Sequence, residues 1–528
     1  MFSNEDFLLK LFLNLVYVWL LSRVESDFYF VFQCARDGLV LGMYQNEGGF
    51  ELTPAAKRFD ASLDGSLQKV MERHAPNMKV GDSRIFHTFT KYDTVAVVGL
   101  GPQRIDTKSQ ENLNQQAENI RKAIAVGVKA LQQVKINSIE IDTASDSEAA
   151  AEGACLATFA FKKLKTDKDS AAPPPALQPY DSQQEGSEML SGWHVGSIKA
   201  AAQNLAREWM EMPANVMTPT QFVSTVTQCL QDATSNEVAL DIAVRDETWI
   251  RDQKMGAFLS VAKGSVEEPR LLDISYTGTK GNDAPLLALV GKGVTFDSGG
   301  ISIKPSAGMH LMRGDMGGAA VVCATIEALL RLRVQANIRA VVPLCENMVS
   351  GCATKPGDVV TAMNGKSIQV DNTDAEGRLL LADALCYAQT FDPRAVVAVS
   401  TLTGAIDVAL GTGATGAFVN DDDMWHLLHQ ASHKTGDRVW RMPLFSQYRK
   451  QIESHLADIN NVGQRGRSAG ACTAAAFLNE FVEVEKWASL DAAGVMESHG
   501  EVPYLSKGLS GRPTRTLIEF VRLMYGVE

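Results

Sequence analysis

Three segments rich in acidic residues and glycine lie in the second half of the chain. Residues 291–300 read GKGVTFDSGG and directly follow an apolar run. Residues 301–320 contain ISIKPS followed by RGDMGGAA, and residues 371–385 read DNTDAEGRLLLADAL after the strand-like residues 366–370. Because ligands of open α/β sheets bind beyond the carboxyl ends of the strands, these segments are candidates for a shared site.

The third segment places Asp374, Glu376 and Arg378 at every second position. In extended backbone such side chains point the same way, so two carboxylates and a guanidinium would share one face and form a site. The alternative is a helix N-terminus, where Asn372 or Asp374 caps the helix and acidic side chains favour the positive end of its dipole. The apolar run from Leu379 begins a helix, so both interpretations can hold together.

Asp297 and Asp315 bring the number of candidate carboxylates to four. Carboxylate oxygens suit Mg²⁺, Mn²⁺ and Zn²⁺, but four are too many for a single tetrahedral zinc ion. They fit two ions about 3.5–4 Å apart, an arrangement that stabilises a hydrolytic transition state. The His-Glu-x-x-His zinc motif is absent, and His310 is the only histidine inside the three segments. These residues therefore predict a two-metal hydrolytic site.

The elements that would position these residues alternate between strand and helix along the chain, which predicts an α/β fold with mixed, mostly parallel sheets. In the first half we predict strands at residues 38–44, 94–100 and 138–142, and helices at residues 110–133 and 149–164. In the second half we predict central strands at residues 286–290, 338–344 and 395–399, and helices at residues 317–331 and 379–390.

The length of 528 residues indicates more than one domain. Residues 166–186 are rich in Pro, Ser and charge and read as a linker, and a helix from about residue 195 to 211 ends before Pro213. We therefore predict a smaller N-terminal α/β domain, a linking helix and a larger C-terminal α/β domain, at residues 37–190, 191–212 and 213–528.

Residues 1–36 form an extra hydrophobic segment, in which residues 7–21 read FLLKLFLNLVYVWLL. This run is shorter than the ~20 residues that span a bilayer. Acidic residues precede it, whereas a secretory signal begins with basic ones. Three interpretations stay open: an additional packing helix, an irregular targeting segment, and an artefact of the chosen start codon.

The overall composition narrows the range of partners. With 50 basic and 62 acidic residues the net charge is −12, which argues against nucleic acid as the main partner. The eight cysteines are scattered without a Cys-x-x-Cys pair, so we expect most to be buried and reduced. No run of residues is long and apolar enough to predict a membrane partner.

The three segments resemble the leucyl aminopeptidases, also called cytosol aminopeptidases, and most of all their animal cytosol type. Residues 372–379, NTDAEGRL, are the signature octapeptide of that family, and VGKGVTFDSGG and DMGGAA match it in order and spacing. The resemblance extends from about Gly38 to the C-terminus and includes PLCENM at 343–348 and GRPTRTLIEF at 511–520. It implies that residues 213–528 are the catalytic domain of a two-metal aminopeptidase, which releases N-terminal, preferentially leucine-like residues by attack of a metal-bridging water.

The resemblance also implies roles for individual residues. The ligands of two divalent ions, Zn²⁺ or Mn²⁺ with Mg²⁺ as an option at one site, would be Lys292, Asp297, Asp315, Asp374 and Glu376. Asp297 and Glu376 would bridge the ions, and Lys292 would bind as a neutral amine. Lys304 would stay cationic and stabilise the oxyanion of the gem-diolate intermediate. Arg378 would hold a bicarbonate ion that acts as general base.

By the same resemblance, the pocket for the first side chain of the substrate would be lined by Met312, Asn372, Thr401, Leu402, Gly404 and Ala493. Its apolar lining would favour leucine-like residues, and the free α-amine of the peptide would bind one metal. Family members are homohexamers whose active sites face an interior cavity. A cytoplasmic location follows, and a mitochondrial one is the alternative if residues 7–21 target the chain.

The sequence departs from the commonest family text between residues 305 and 314. Gly314 stands where Ala is usual, and Pro305, Gly308 and His310 replace Ala, Asn and Asp. None of these is a ligand position, but the first two would change the backbone freedom beside Lys304. An alternative hypothesis is therefore a catalytically weakened or inactive structural or binding homologue on the same hexameric scaffold.

Overall fold

The computed structural model describes residues 38–89, 91–103, 111–166, 173–180, 187–235, 237–278 and 285–527. The hydrophobic segment at residues 1–36 lies outside the described residues. The strands are β1 (Gly38–Asn46), β2 (Gly49–Leu52), β3 (Ser83–Phe89), β4 (Tyr92–Pro102), β5 (Ser138–Ile141), β6 (Ala176–Pro179), β7 (Ala239–Arg245), β8 (Arg270–Thr277), β9 (Leu286–Gly291), β10 (Gly293–Asp297), β11 (Asn337–Asn347), β12 (Asp358–Thr361), β13 (Ser367–Val370), β14 (Ala395–Ser400), β15 (Thr415–Val419), β16 (Val439–Met442), β17 (Ile459–Asn460), β18 (Lys486–Asp491), β19 (Glu497–Ser498) and β20 (Gly508–Leu509).

The α-helices are α1 (Pro54–Ala61), α2 (Ser66–His74), α3 (Gln115–Gln133), α4 (Ser147–Ala157), α5 (Ser187–Glu211), α6 (Pro219–Ala233), α7 (Glu247–Asp252), α8 (Gly256–Ala262), α9 (Gly317–Arg331), α10 (Gly377–Gln389), α11 (Gly404–Leu410), α12 (Asp422–Thr435), α13 (Ser446–Arg449), α14 (Gly470–Asn479) and α15 (Thr514–Met524). Short 3₁₀ helices occupy Met309–Gly314, Lys450–Ile452 and Ala493–Val495.

The N-terminal domain is built on one sheet with the strand order β3-β4-β1-β5-β6, and β2 pairs with β1. The pairs β1–β4, β1–β5 and β5–β6 are parallel, whereas β3 and β2 pair antiparallel with their neighbours. The first seven residues of β1 are buried, as expected for a central strand covered on both faces. Helix α3 begins where the side chain of Asn114 accepts a hydrogen bond from the Ala117 backbone.

The C-terminal domain contains a larger sheet with the strand order β16-β15-β18-β14-β9-β11-β8-β7, and β10 pairs with β11. Its centre, from β18 to β11, is parallel, while β7, β8 and β15 introduce antiparallel pairs. Separate hydrophobic clusters of buried residues lie among the helices and sheet of this domain. The prediction of two α/β domains with mixed, mostly parallel strands in the larger one is confirmed.

Some local predictions were wrong. The helix predicted over 149–164 ends at Ala157, where the hydroxyl of Thr158 donates to the carbonyl of Cys155. Part of the predicted linker forms the strand β6, which pairs in parallel with β5. A proline-containing strand was hard to recognise in the sequence, but it is tolerated at the edge of a sheet. The linking helix, predicted at residues 191–212 with a helical pattern from about residue 195, begins earlier, at Ser187, and ends at Glu211.

The described helices contain none that is long and apolar enough to cross a membrane. Seven cysteines in the described residues are free, and three of these are buried. The eighth, Cys34, lies outside the described residues.

A buried network of ion pairs joins the two domains. Lys199 of α5 is fully buried and contacts Glu148 of α4 and Glu519 of α15. Glu519 also accepts from Lys434 at 2.9 Å and from Arg522 at 2.9 Å. Although burial alone would raise the pKa of Glu519, these three cations lower it to about 2. The linking helix is therefore held to both domains by charge as well as by packing.

We predict that Glu519→Gln lowers the free energy of unfolding by about 3 kcal/mol at pH 7, because it removes one partner of a buried ion pair. A carboxyl group with a depressed pKa stabilises the fold above its unfolded value near 4.3, and this contribution is lost as the pH falls toward 2. The difference between variant and wild type should therefore shrink between pH 5 and pH 3 in urea unfolding followed by tryptophan fluorescence.

The matched control is Glu208→Gln, which removes an ion pair with Lys163 on the protein surface. This change should alter stability by about 0.5 kcal/mol or less. An equal loss from both substitutions, or a Glu519→Gln effect that does not depend on pH, would contradict the prediction.

Candidate metal and active site

The candidate residues lie where strands end, two of them at strands of the larger sheet and two after β13 of a separate three-stranded sheet with the order β12-β13-β17. Lys292 directly follows β9, Asp297 is the last residue of β10, and Asp374 and Glu376 lie in the loop after β13. Lys292 is fixed in the sheet because its backbone amide donates to the carbonyl of Val399 at 3.0 Å. The expected position of the site beyond the strand ends therefore agrees with the structure.

Three carboxylates converge at this edge. Asp297, Asp374 and Glu376 each offer one oxygen, and these oxygens all lie within 4.8 Å of one another. Asp297 and Glu376 are buried, and Asp374 is partly exposed. Groups of oxygen ligands at such spacing are typical of sites for divalent cations.

Two lysines pair with these carboxylates, and one of them, Lys292, also reaches the fourth carboxylate, Asp315. The Nζ atom of Lys292 lies 2.7 Å from Oδ1 of Asp315 and 2.9 Å from Oε1 of Glu376. The Nζ atom of Lys304 lies 2.7 Å from Oδ2 of Asp297 and 2.5 Å from Oδ1 of Asp374. The structure thus brings together all five predicted metal ligands and Lys304.

Burial and mutual repulsion shift the pKa values of these groups. Burial, with the nearby charge of Glu376, raises the pKa of Asp297 to about 7. Burial also raises the pKa of Asp315 well above its usual range. Although burial alone would lower the pKa of Lys292, Asp315 and Glu376 raise it above its usual value. Two lysines against four carboxylates leave a formal charge of 2 − 4 = −2, which favours binding of added cations.

Two buried polar atoms indicate that this site fits the metal ions and the bicarbonate that the resemblance implies. Among the described residues, neither Oδ2 of Asp315 nor Nε of Arg378 has a hydrogen-bond partner. Leaving such atoms unpaired is costly, so each favours a ligand beside it. A carboxylate oxygen suits a metal ion, and a guanidinium N–H suits an anion such as bicarbonate. The residues present therefore fit both groups.

The backbone of residues 374–378 is not extended, contrary to one sequence interpretation. Thr373 and Asp374 form a turn, and α10 begins at Gly377 with Glu376 at the N-cap position. The alternative interpretation, a helix capped by Asn372 or Asp374, was wrong about the capping residue. The side chain of Asn372 instead accepts a hydrogen bond from the Asp374 amide inside the loop. The convergence of the carboxylates therefore comes from this turn and not from strand alternation.

Asn461, which no sequence pattern singled out, holds the loop after β13. Its Nδ2 donates to the carbonyl of Asn372 at 2.7 Å, and its Oδ1 accepts from the Asp371 amide at 2.9 Å. Its own carbonyl accepts from Nη1 of Arg378 at 2.6 Å. Burial lowers the pKa of Arg378 to about 10, so the guanidinium remains cationic at neutral pH.

Asn347, at the end of β11, has a similar role. Its Nδ2 donates to Oδ1 of Asp297 at 2.8 Å and to the carbonyl of Thr373 at 3.0 Å. It therefore ties Asp297 of β10 to the loop that carries Asp374. Its place just after the strand predicted at residues 338–344 was the available signal, because polar groups at strand ends are site candidates.

The predicted pocket residues fall into separate groups. Asn372 and Gly404 line an open cavity of about 700 Å³ together with Asp374. Thr401 instead donates from its hydroxyl to Oδ1 of Asp315 at 2.7 Å. The other three lie outside the cavity lining: Met312 in the 3₁₀ helix Met309–Gly314, Leu402 before α11, and Ala493 in the 3₁₀ helix Ala493–Val495.

Asp491 connects two of these residues and was missed from the sequence. Its buried carboxylate accepts from the amides of Leu402 at 3.1 Å and Ala493 at 3.2 Å. It also accepts from the hydroxyl of Thr403 at 2.7 Å. Asp491 is the last residue of β18, a strand that the sequence did not predict, so its position at a strand end could not be recognised.

The residues that depart from the family text lie mostly on the surface. Pro305, Gly308 and His310 are exposed, and an added Cβ at Gly308 would meet no atom within 4 Å. Gly314 is buried, and a Cβ there would lie 2.8 Å from a methyl group of Leu509. Lys304 keeps its contacts with two carboxylates despite these changes.

Gly377 is a further residue of the site. A Cβ at this position would lie 2.6 Å from Cε and 2.9 Å from Nζ of Lys292. An added methyl group would therefore have to displace the end of the Lys292 side chain, which is buried and paired with Asp315 and Glu376.

A two-domain α/β protein with a net negative cluster of carboxylates and lysines at the strand ends has the architecture of a metal-dependent hydrolase. Comparison with known proteins makes this class more specific. Residues 204–518 match the model of the cytosol aminopeptidase family, catalytic domain, and residues 40–168 match the N-terminal domain of that family. The chain belongs to the cytosol aminopeptidase family, and it is a metallo-aminopeptidase.

Individual relatives agree over nearly the whole chain. The cytosol aminopeptidase of Xenopus tropicalis is 52% identical over 494 residues, 93% of each protein. That of Homo sapiens is 51% identical over 489 residues, 92% of each.

Solved structures agree as well. The bottromycin maturation enzyme BotP matches with a TM-score of 0.78 at 29% identity, over 93% of this chain and 100% of that one. A mutant of tomato leucine aminopeptidase matches with a TM-score of 0.77 at 29% identity, over 94% of this chain and 95% of that one.

We predict that Gly377→Ala lowers kcat/KM for an aminopeptidase substrate by about 10²-fold, because the added methyl group displaces Lys292 or α10. The control is Gly351→Ala, since a Cβ at Gly351 meets no atom within 4 Å. Hydrolysis of leucine p-nitroanilide measures both variants. Wild-type activity in a folded Gly377→Ala protein would show that the close approach is not required.

Proposed function

We propose that this chain is a two-metal aminopeptidase that removes leucine-like residues from the N-termini of peptides. The observation that carries this proposal is the convergence of Asp297, Asp374 and Glu376, whose oxygens lie within 4.8 Å of one another. Lys292 joins them to Asp315 at the same strand ends. Two divalent ions at such a site polarise a carbonyl and make a bridging water nucleophilic at neutral pH.

The proposed ligands are the five residues predicted from the sequence, with Asp297 and Glu376 shared between the ions. Lys292 would bind through its neutral amine after losing a proton. Zn²⁺ or Mn²⁺ is the proposed metal, with Mg²⁺ as an option at one site, because carboxylates suit all three. A solved structure of BotP, a relative with 30% identity, is described as a complex with Mn.

Lys304 and Arg378 have the remaining chemical roles in this proposal. Lys304 is only partly buried, so its ammonium group can face a substrate while it contacts Asp297 and Asp374. It would stabilise the negative charge that develops on the carbonyl oxygen. Arg378 would hold bicarbonate through its unpaired Nε, and the bicarbonate would take a proton from the nucleophilic water.

Substrate preference, assembly and location complete the proposal. The pocket for the first side chain of the substrate would be lined by Met312, Asn372, Thr401, Leu402, Gly404 and Ala493. The names of the relatives, cytosol aminopeptidase and leucine aminopeptidase, support a cytoplasmic enzyme that prefers leucine. The proposed assembly is a homohexamer, and the proposed partners are peptides with a free N-terminus.

The test is metal-dependent hydrolysis of leucine p-nitroanilide by the full-length, metal-free protein titrated with Mn²⁺ or Zn²⁺. We expect activity to rise to a plateau at two ions per chain, measured by elemental analysis of the same samples. Glu376→Gln should lower both the metal content and the rate, because it removes a bridging oxygen charge.

Lys304→Ala should lower kcat by about 10²–10³-fold while the metal content stays at two, since its role is charge stabilisation. Lys263→Ala, which changes a lysine outside the site that pairs with Asp358, is the control. Two bound metals without hydrolysis in correctly assembled protein would support the alternative of a non-catalytic homologue. No metal-dependent activity and no metal binding would overturn the proposal.

A further inference from the structure

We propose that Arg467 makes the enzyme select short peptides that carry a negative charge close behind the N-terminal residue, such as a free carboxyl terminus or an acidic side chain. This inference rests on the proposed aminopeptidase function and adds a substrate class to it. Nothing in the motifs of the three acidic segments points to Arg467, which lies about 90 residues further along the chain.

The geometric basis is the cavity of about 700 Å³ that Asn372 and Asp374 line. Arg467 lines the same open cavity, so the carboxylate of Asp374 and a guanidinium share one space. The volume lies within the range of roughly 300–1,000 Å³ that is typical of pockets for small ligands. A short peptide is therefore an appropriate occupant.

The remaining walls explain why Arg467 is distinctive. They are formed mainly by small or apolar residues, including Val408, Ala409, Met442 and Cys472. Arg467 is exposed and forms no ion pair or side-chain hydrogen bond within the described part of the chain. By contrast, Arg441 pairs with Asp422 at 2.7 Å, and Arg449 pairs with Glu480 at 2.5 Å.

Residues 466–470, which include Arg467, read GRSAG and match the Gly-x-Ser-x-Gly pattern of serine hydrolases. Ser468 is exposed in a turn, whereas the nucleophile of those enzymes lies directly between a buried strand and a helix. The segment therefore does not supply a serine nucleophile, and Arg467 is its candidate functional group.

The direction of the substrate follows from the proposed chemistry. The α-amine of the peptide binds at the metal ligands, so the following residues extend away from Asp374 into the cavity. A carboxylate one or two residues behind the cleaved bond would then approach Arg467. A guanidinium can donate two parallel hydrogen bonds to a carboxylate, which makes arginine more selective than a simple point charge.

Exposure of Arg467 limits the size of the effect. Ion pairs at exposed positions contribute up to about 1 kcal/mol, which corresponds to about a five-fold difference in kcat/KM. Such a contribution is screened by salt, because the Debye length falls from about 10 Å at 0.1 M to about 3 Å at 1 M ionic strength. The preference should therefore weaken as salt is added.

The test compares hydrolysis of leucyl-glycine with leucyl-glycine amide, and of leucyl-aspartate amide with leucyl-asparagine amide, by the metal-loaded full-length enzyme. The variants are Arg467→Met and Arg467→Glu. Leucine p-nitroanilide, which carries no negative charge, reports the basal activity. The control is Arg465→Met, because Arg465 is also exposed in the same loop but does not line the cavity.

We expect Arg467→Met to lower kcat/KM about five-fold for the two charged substrates and to leave their neutral partners and leucine p-nitroanilide unchanged. Arg467→Glu should make the neutral substrates preferred, and 0.5 M NaCl should bring the wild-type ratio toward that of Arg467→Met. Arg465→Met should retain the wild-type ratio.

The other possible results would contradict either this inference or the proposed function. Equal losses for charged and neutral substrates would assign Arg467 a purely structural role and overturn the inference. Unchanged ratios in both Arg467 variants would also overturn it, while activity toward leucine p-nitroanilide leaves the proposed function standing. If the wild-type enzyme hydrolysed none of these substrates, that result would instead contradict the proposed function itself.

Discussion

Repulsion between carboxylates buried at the strand ends is the constraint on which this structure depends. At 4.8 Å, the outer limit for the oxygens of Asp297, Asp374 and Glu376, two full charges repel by about 3 kcal/mol at an effective dielectric constant of about 20. Lys292 and Lys304 compensate only part of this charge. The carboxylates therefore outnumber the lysines, and burial raises the pKa of Asp297 and Asp315, so protons or added cations must balance the charge of this site.

The rest of the catalytic domain keeps these groups together against that repulsion. Two neutral amides contribute to this positioning: Asn347 ties Asp297 to the loop after β13, and Asn461 holds that loop and Arg378. Gly377 allows α10 to approach Lys292. Hydrogen bonds from uncharged groups and the absence of a side chain add no further charge, so they fix the geometry without neutralising the site.

The network of ion pairs between the domains shows the opposite balance of charge. There, Glu148 and Glu519 face Lys199, Lys434 and Arg522, so acidic groups are fully compensated by cations. Helix α5 passes through this network. At the end of this helix, Oε2 of Glu211 lies 2.6 Å from Nη2 of Arg313, which belongs to the segment just before Asp315. Attachment of the two domains and placement of the segment that carries Asp315 thus depend on the same helix.

The sequence by itself determined the residue types of the site, the alternation of strands and helices and the division into two domains. These features are local: acidic residues beside glycines and buried apolar runs can be read from neighbouring positions. Only the tertiary structure decided how Asp374 and Glu376 converge, because a turn replaced the expected extended backbone. It also decided the contributions of Asn347, Asn461 and Asp491, and it placed Arg467 in the same cavity as Asp374. Their partners lie up to about 90 residues away in the chain, and no local pattern of residues records contacts made by the packing of distant loops.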